Sequence, residues 1–271
     1  PCNSATAPVP GYNSYIYDNI ATETIDNTID ADANMGGTAT RIFITGYNAT
    51  LTAEAEVVIT TEVTLPNGLV KFHNTCDRTE WKNIDFNAGG KDSARAAYCV
   101  FNSGSNGSDN HSFINCKFHG ASTDGLYVTY SYDWSFYNCE FYLNGGRGCY
   151  QHYRSFQHIV GCSFHDNENT GFQGTNTVLL VECIAYDNGK GGTGHGFHVG
   201  NAGDDSIISS NTAYGNADDG FYIDDAANDC TVINNSSVGN GGYGYNLDTD
   251  PILPIRYFGY NHSYDNTSGH C

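Results

Sequence analysis

The chain has 271 residues, with 11 Lys and Arg against 30 Asp and Glu, for a formal charge of −19. That balance excludes phosphate-directed nucleic-acid binding, which needs clustered cations, and docking on an anionic membrane. Charged residues are only 15% of the chain and aromatics are 13%, so the acidity belongs to a folded protein rather than a disordered tail, and no apolar run suits insertion into a membrane.

In chain order, position 1 is Pro, as expected of a processed or trimmed product. Residues 21–34 carry Ile25 and Ile29 four apart with few turn formers, which predicts a short capping helix. Residues 41–44 and 56–65 read as first strands, followed by a Pro66-Asn67-Gly68 turn. Residues 1–80 are thus expected to form an N-terminal cap and the first coils. Residues 81–271 are expected to be repeats of the same continuous domain.

From there a repeat dominates. Gly125-Leu126-Tyr127-Val128 aligns with Gly148-Cys149-Tyr150-Gln151, Gly171-Phe172-Gln173-Gly174, Gly196-Phe197-His198-Val199, Gly220-Phe221-Tyr222-Ile223 and Gly244-Tyr245-Asn246-Leu247. These glycines step by 23, 23, 25, 24 and 24 residues. A second column runs in phase through Cys116, Cys139, Cys162, Cys183, Asn211, Asn235 and Asn261. Five residues after these positions, from Cys139 onward, stand Asn144, Asn167, Asn188, Asn216, Asn240 and Asn266. Leucine-rich repeats need a Leu/Asn consensus that is absent here, and propeller blades need a longer period. The remaining fit is an all-β, right-handed, single-stranded parallel β-helix, one repeat per coil, with equivalent residues stacked in ladders.

Inward ladders are expected at Leu126, Cys149, Phe172, Phe197, Phe221 and Tyr245, and at Phe113, Phe136, Ile159, Leu180, Ile208, Val232 and Phe258. The Asn column is expected to be a buried ladder whose amides bond coil to coil. Cys116, Cys139, Cys162 and Cys183 read as a ladder of buried thiols, although adjacent coils are close enough for a disulfide by distance alone. Cys2 and Cys271 sit at opposite ends and are candidates for joining copies into a homo-oligomer or filament. Sequons at Asn48, Asn106, Asn110, Asn234, Asn235, Asn261 and Asn266 permit an extracellular location or a place on a cell or virion surface.

On these ladders the chain resembles the pectate-lyase-like parallel β-helix superfamily, over roughly residues 81–266. The resemblance is specific for fold and carries less about function. The column before each strand Gly reads Asp124, Arg147, Thr170, His195, Asp219 and Tyr243. The outward column two residues after the Gly reads Tyr127, Tyr150, Gln173, His198, Tyr222 and Asn246. A line of acids and bases beside exposed rings is equipment for sugar polymers, so the expected partner is a polysaccharide. Asp124 and Asp219 are the expected acid/base groups, Asp124 being read as an exposed turn carboxylate. Arg147 and His195 are the expected charge stabilisers, and Tyr127, Tyr150, His198 and Tyr222 the sugar platform. Asp, His, Thr and Asn before Gly are equally ordinary turn formers.

Ser122-Thr123-Asp124-Gly125, Gly194-His195-Gly196 and Asp218-Asp219-Gly220 are similar to polygalacturonase motifs, but their order differs and no Arg-x-Lys follows. That likeness implies only Asp124 as an acid/base and His195 as an assisting group. Similarity to pectate and alginate lyases implies Arg147 as base or charge clamp, with His152 and Arg154 near it, and Ca²⁺ as a cofactor. Asp224, Asp225, Asp248 and Asp250 follow equivalent strands and suit such a hard cation. The charge of −19 repels a polyuronate unless cations intervene, so a neutral or basic polymer is the easier substrate. The sequence leads to a polysaccharide-cleaving lyase or glycoside hydrolase. The alternative is a non-catalytic structural or adhesive surface protein, such as a tail-spike-like module or a cell-envelope filament subunit.

Overall fold

The computed structural model describes residues 14–18, 23–24, 29–31, 42–48, 57–60, 68–72, 78–90, 96–102, 109–152, 156–200, 205–224, 229–247 and 255–270. Each coil contributes three short strands, as in Trp134–Tyr137, Glu140–Tyr142 and Cys149–His152. Strands of successive coils pair in parallel to give a first and a second sheet of ten strands and a third of nine. The expected registers hold: Leu126 pairs with Cys149, Cys149 with Phe172, Phe172 with Phe197, Phe197 with Phe221 and Phe221 with Tyr245.

Inside the coils the side chains stack ring on ring. Phe118, Phe141 and Phe164 lie with centroids 4.6 and 4.9 Å apart and nearly parallel planes. Phe197, Phe221 and Tyr245 continue a second stack at 5.2 and 5.0 Å. Both expected inward ladders are buried, with one correction: Phe258 is 39% exposed. Its strand, Tyr257–Gly259, is the last of the first sheet, so among the described residues no further coil covers it.

The corners are held by polar ladders. Asn188 shows the pattern. Its Nδ2 donates to the Phe164 carbonyl and to Asn216 Oδ1, each at 2.9 Å, while its own Oδ1 accepts from Asn167 Nδ2 at 2.9 Å. The same bonds run from Asn144 to Asn266. The residue before each ladder Asn takes left-handed backbone, whether Asp166, Asp187, Gly215 or Gly239, and so turns the chain while the amide points inward. The strand glycines answer to this ladder. A Cβ on Gly171 would stand 2.8 Å from the Gly196 carbonyl and 2.9 Å from Asn188 Nδ2, so only Gly fits beside the amides.

The thiol column is the expected one. Cys139 N–H meets Cys162 Sγ and Cys162 N–H meets Cys183 Sγ, each at 3.4 Å. All seven described cysteines are free and buried. The column then changes chemistry without changing place, since Cys183 N–H donates to Asn211 Oδ1 at 2.8 Å and the ladder runs on through Asn235 and Asn261. Three sequon asparagines, Asn235, Asn261 and Asn266, are therefore ladder members whose amides are already bonded. Cys2 and Cys271 lie outside the described residues.

The expected capping helix is not formed. Strands Glu23–Thr24 and Ile29–Ala31 occupy that segment, and the second pairs with Val70–Phe72 in the third sheet. Two residues four apart cannot separate helix from strands this short, and pairing with the next coil decides the matter. No helix occurs among the described residues.

Candidate functional site

The column before the strand glycines runs along one edge of the third sheet. It falls into two charged pairs. Asp124 and Arg147, on neighbouring coils, form a forked pair: Arg147 Nε donates to Asp124 Oδ1 and Nη2 to Oδ2, each at 3.0 Å, and the Arg147 backbone N–H adds a 2.7 Å bond to Oδ1. Arg147 Nη1 reaches Gln173 Oε1 at 3.0 Å, and the guanidinium carbon sits 3.5 Å from the centre of the Tyr150 ring. Burial opposes the charge on Arg147, but the Asp124 carboxylate outweighs it and holds the group above its usual pKa. Arg147 is thus a fixed cation and chemically unsuited to take up a proton. Asp124 is only 5% exposed, not the exposed turn carboxylate the sequence suggests.

The second pair is His195 with Asp219. His195 Nδ1 lies 3.3 Å from Asp219 Oδ2, with Asp218 Oδ2 at 3.9 Å. Buried Asp219 also accepts from the Tyr243 backbone N–H and, at 2.9 Å, from Asn246 Nδ2. Burial alone would raise its pKa, yet the hydrogen bonds from His195, Asn246 and Tyr243 keep it below the usual carboxylate range. His195 Nδ1 faces both the Asp219 carboxylate and the Asp219 backbone N–H, each at 3.3 Å, so a protonated Nδ1 serves the carboxylate and an unprotonated one accepts the amide.

Register fixes how far apart these groups are. Asp124 and Asp219 are four coils apart, about 19 Å at the inter-strand spacing. Two-carboxylate glycoside hydrolysis uses carboxyl groups about 5–9.5 Å apart, so these two do not form one such pair. Thr170, buried between Arg147 and His195 in the column, separates the two charged pairs.

The outward rings likewise form two groups. Phe101, Tyr127 and Tyr150 follow one another at 5.6 and 5.4 Å between centroids, with Tyr98 against the first two. Farther along, Tyr222 stacks on His195 at 4.8 Å and meets His198 at 4.7 Å. Gln173 interrupts the row between them. His198 is mostly buried, and its pKa is lowered to about 4, first by burial and then by the charges of His195 and Arg147.

Gln173 and Asn246 are the anchoring partners that residue type alone passes over. Their only signal is that they hold positions in the outward column of rings, Gln173 between Tyr150 and His198 and Asn246 after Tyr222. Of the expected Ca²⁺ set, Asp224 is described, with Oδ2 3.6 Å from His198 Nε2. Asp225, Asp248 and Asp250, and also Arg154, lie outside the described residues. The described donors close enough to share a cation are His195, Asp218 and Asp219. Asp219 already accepts from Tyr243 and Asn246, and the Asp219 backbone N–H donates to His195 Nδ1. The dyad therefore has its own hydrogen-bond partners without a metal.

The right-handed β-helix region family matches residues 98–252, and the chain belongs to it. Among solved structures it is similar to pectate lyase Pel9A, at 19% identity and a TM-score of 0.69, covering 97% of this chain and 69% of that one. It is also similar to the A-module of the Azotobacter vinelandii mannuronan C-5 epimerase AlgE4, at 13% identity and a TM-score of 0.55, covering 96% and 87%. The periplasmic alginate epimerase AlgG follows at 12% identity and 0.51, covering 89% and 61%. At these identities the likeness is one of fold. No curated protein matches the chain.

Proposed function

We propose that this chain, as a member of the right-handed β-helix family, is a carbohydrate-directed protein that binds a polysaccharide along its third sheet and cleaves it by β-elimination at a uronate unit. The observation that carries this reading is the His195–Asp219 dyad beside the Tyr222 and His198 rings. The fold neighbours named as a pectate lyase and a mannuronan epimerase support a polysaccharide as the partner.

In the proposed step the His195 imidazole takes the proton next to the uronate carboxylate. The electron pair left behind forms the ring double bond, the glycosidic C–O bond breaks, and the leaving oxygen takes a proton from water. Asp219 holds the imidazole and stabilises its cation. Arg147, two coils away or about 10 Å, offers a fixed positive charge to a neighbouring uronate. Tyr127 and Tyr150 on one side and Tyr222 on the other would carry the sugar rings. A polymer substrate fits a location outside the cell or at a cell or virion surface. The separation of Asp124 and Asp219 favours elimination over hydrolysis.

The test is a panel of acidic and neutral polysaccharides, followed both by unsaturated-uronate absorbance and by reducing ends. Elimination raises both signals together, and His195→Ala should lower the rate about 10²–10⁴-fold. Reducing ends without absorbance would refute elimination. Glycan binding without either signal would favour the adhesive reading.

A further inference from the structure

A different face of the solenoid carries a cavity that the third-sheet site does not use. On the outer face of the first sheet, one column reads Glu80, Ser112, Ser135, His158, Leu179 and Ile207 in register. Two successive serines between larger side chains leave a hollow of about 290 Å³. Asn110 and Asp133 rim it from the turns entering two of these strands, both with left-handed backbone, and Tyr137 forms a wall. The volume is at the small end of ligand sites and suits a sugar unit rather than a long polymer.

We infer that this first-sheet hollow is a second carbohydrate site, one that binds a neutral sugar. The lining is mostly hydroxyl, amide and carboxylate, completed by the His111 imidazole and Ile114. Ser112, Ser135 and Tyr137 donate and accept, Asn110 does both, and Glu80 and Asp133 accept when ionised. A ligand matching this set must bring several O–H donors. An acidic sugar or a phosphate would face two carboxylates with no Lys or Arg among the lining residues. An apolar ligand would strand the polar groups. Among the described residues, the His, Cys, Asp and Glu side chains that converge three together on one point are His195, Asp218 and Asp219, and Glu80, His111 and Asp133 make no such group. On this reading the two sites take different ligands, the hollow a neutral sugar and the third-sheet edge, beside Arg147, a uronate. The proposed consequence is anchorage, in which a neutral chain or side branch is held on one face while the third sheet engages its own polymer.

The experiment is saturation-transfer NMR on the whole protein with glucose, galactose, mannose, xylose and their disaccharides at millimolar concentration. At least one should show transfer, and Ser135→Tyr, which fills the hollow, should weaken its binding about tenfold. Tyr is a good strand residue at an outward position, so the fold should tolerate it. If the melting temperature of that variant falls, Ser135→Gln makes the same test with less bulk. His195→Ala should leave neutral-sugar binding unchanged, and Ser135→Tyr should leave any third-sheet elimination unchanged. Absence of transfer from every sugar would overturn the inference, as would transfer that survives both Ser135 variants. So would Ca²⁺ alone perturbing these residues in place of a sugar.

Discussion

Acidification from pH 7 to pH 4 should destabilise the protein substantially through one side chain at the candidate site. His198 is mostly buried, and its folded pKa is about 4 against an ordinary 6.5, first because burial penalises the imidazolium and then through charge repulsion from His195 and Arg147. The Asp224 carboxylate at 3.6 Å is too far to hydrogen-bond with the charged ring. Because the folded pKa lies below the unfolded one, the unfolded chain takes up the proton first. The contribution is therefore complete above about pH 6.5 and is lost as pH falls towards 4. The gap corresponds to about 3 kcal/mol, a large share of the 5–15 kcal/mol typical of a domain. Urea unfolding at a series of pH values, for the natural chain and for His198→Gln, isolates this side chain from the other histidines. The variant should lose about 3 kcal/mol less across the window. Parallel stability curves for the two proteins would refute the assignment.

Asn188→Ala should cost about 3 kcal/mol in denaturant unfolding, since it strands the buried Phe164 carbonyl and the Asn167 backbone N–H and takes one bond each from the side-chain amides of Asn167 and Asn216; an unchanged midpoint would mean that the corner ladder does not hold the coils. Asp124→Asn should lower stability by about 2 kcal/mol, because it leaves Arg147 without its carboxylate, with the cost moderated by the partial exposure of Arg147. On the proposed polyuronate substrate, kcat/KM should rise from low salt to about 0.15 M as screening relieves repulsion from a chain of charge −19. A rate that falls steadily with salt would point to attraction instead, and so to a basic polymer.

Much of this fold could be read from the sequence because a solenoid writes its contacts as a period. Gly125, Gly148 and Gly171 align in the chain and then pack as neighbouring rungs, so spacing alone reveals which residues touch. The period even carries a change of side chain, as when the thiol column passes from Cys183 to Asn211 without loss of register. It fails where a segment is too short to show one. Residues 23–24 and 29–31 hold five strand residues between them, and their identity comes from pairing with later coils rather than from local pattern. It fails also at an end, where Phe258 keeps the ladder residue type but has no described coil to cover it.

The candidate site was legible as a column but not as an arrangement, and the reason is physical. A ladder fixes the spacing along the solenoid axis and leaves the side-chain torsions open. Asp124 and Asp219 occupy equivalent positions, yet one carboxylate meets a guanidinium on the next coil and the other meets an imidazole on the previous coil. The choice depends on what stands beside each, Tyr150 and Gln173 in one case and Tyr222 and Asn246 in the other. The corner asparagines and core rings hold each coil whatever occupies the outward positions, so those positions can differ from coil to coil without loss of fold. Asp124 and Arg147 depart from that division, because a forked pair with a buried carboxylate on the candidate edge also ties two coils together. Substitutions there should alter binding and stability together, whereas Tyr222→Ala, at a half-buried outward ring, should weaken glycan binding with little effect on the melting temperature.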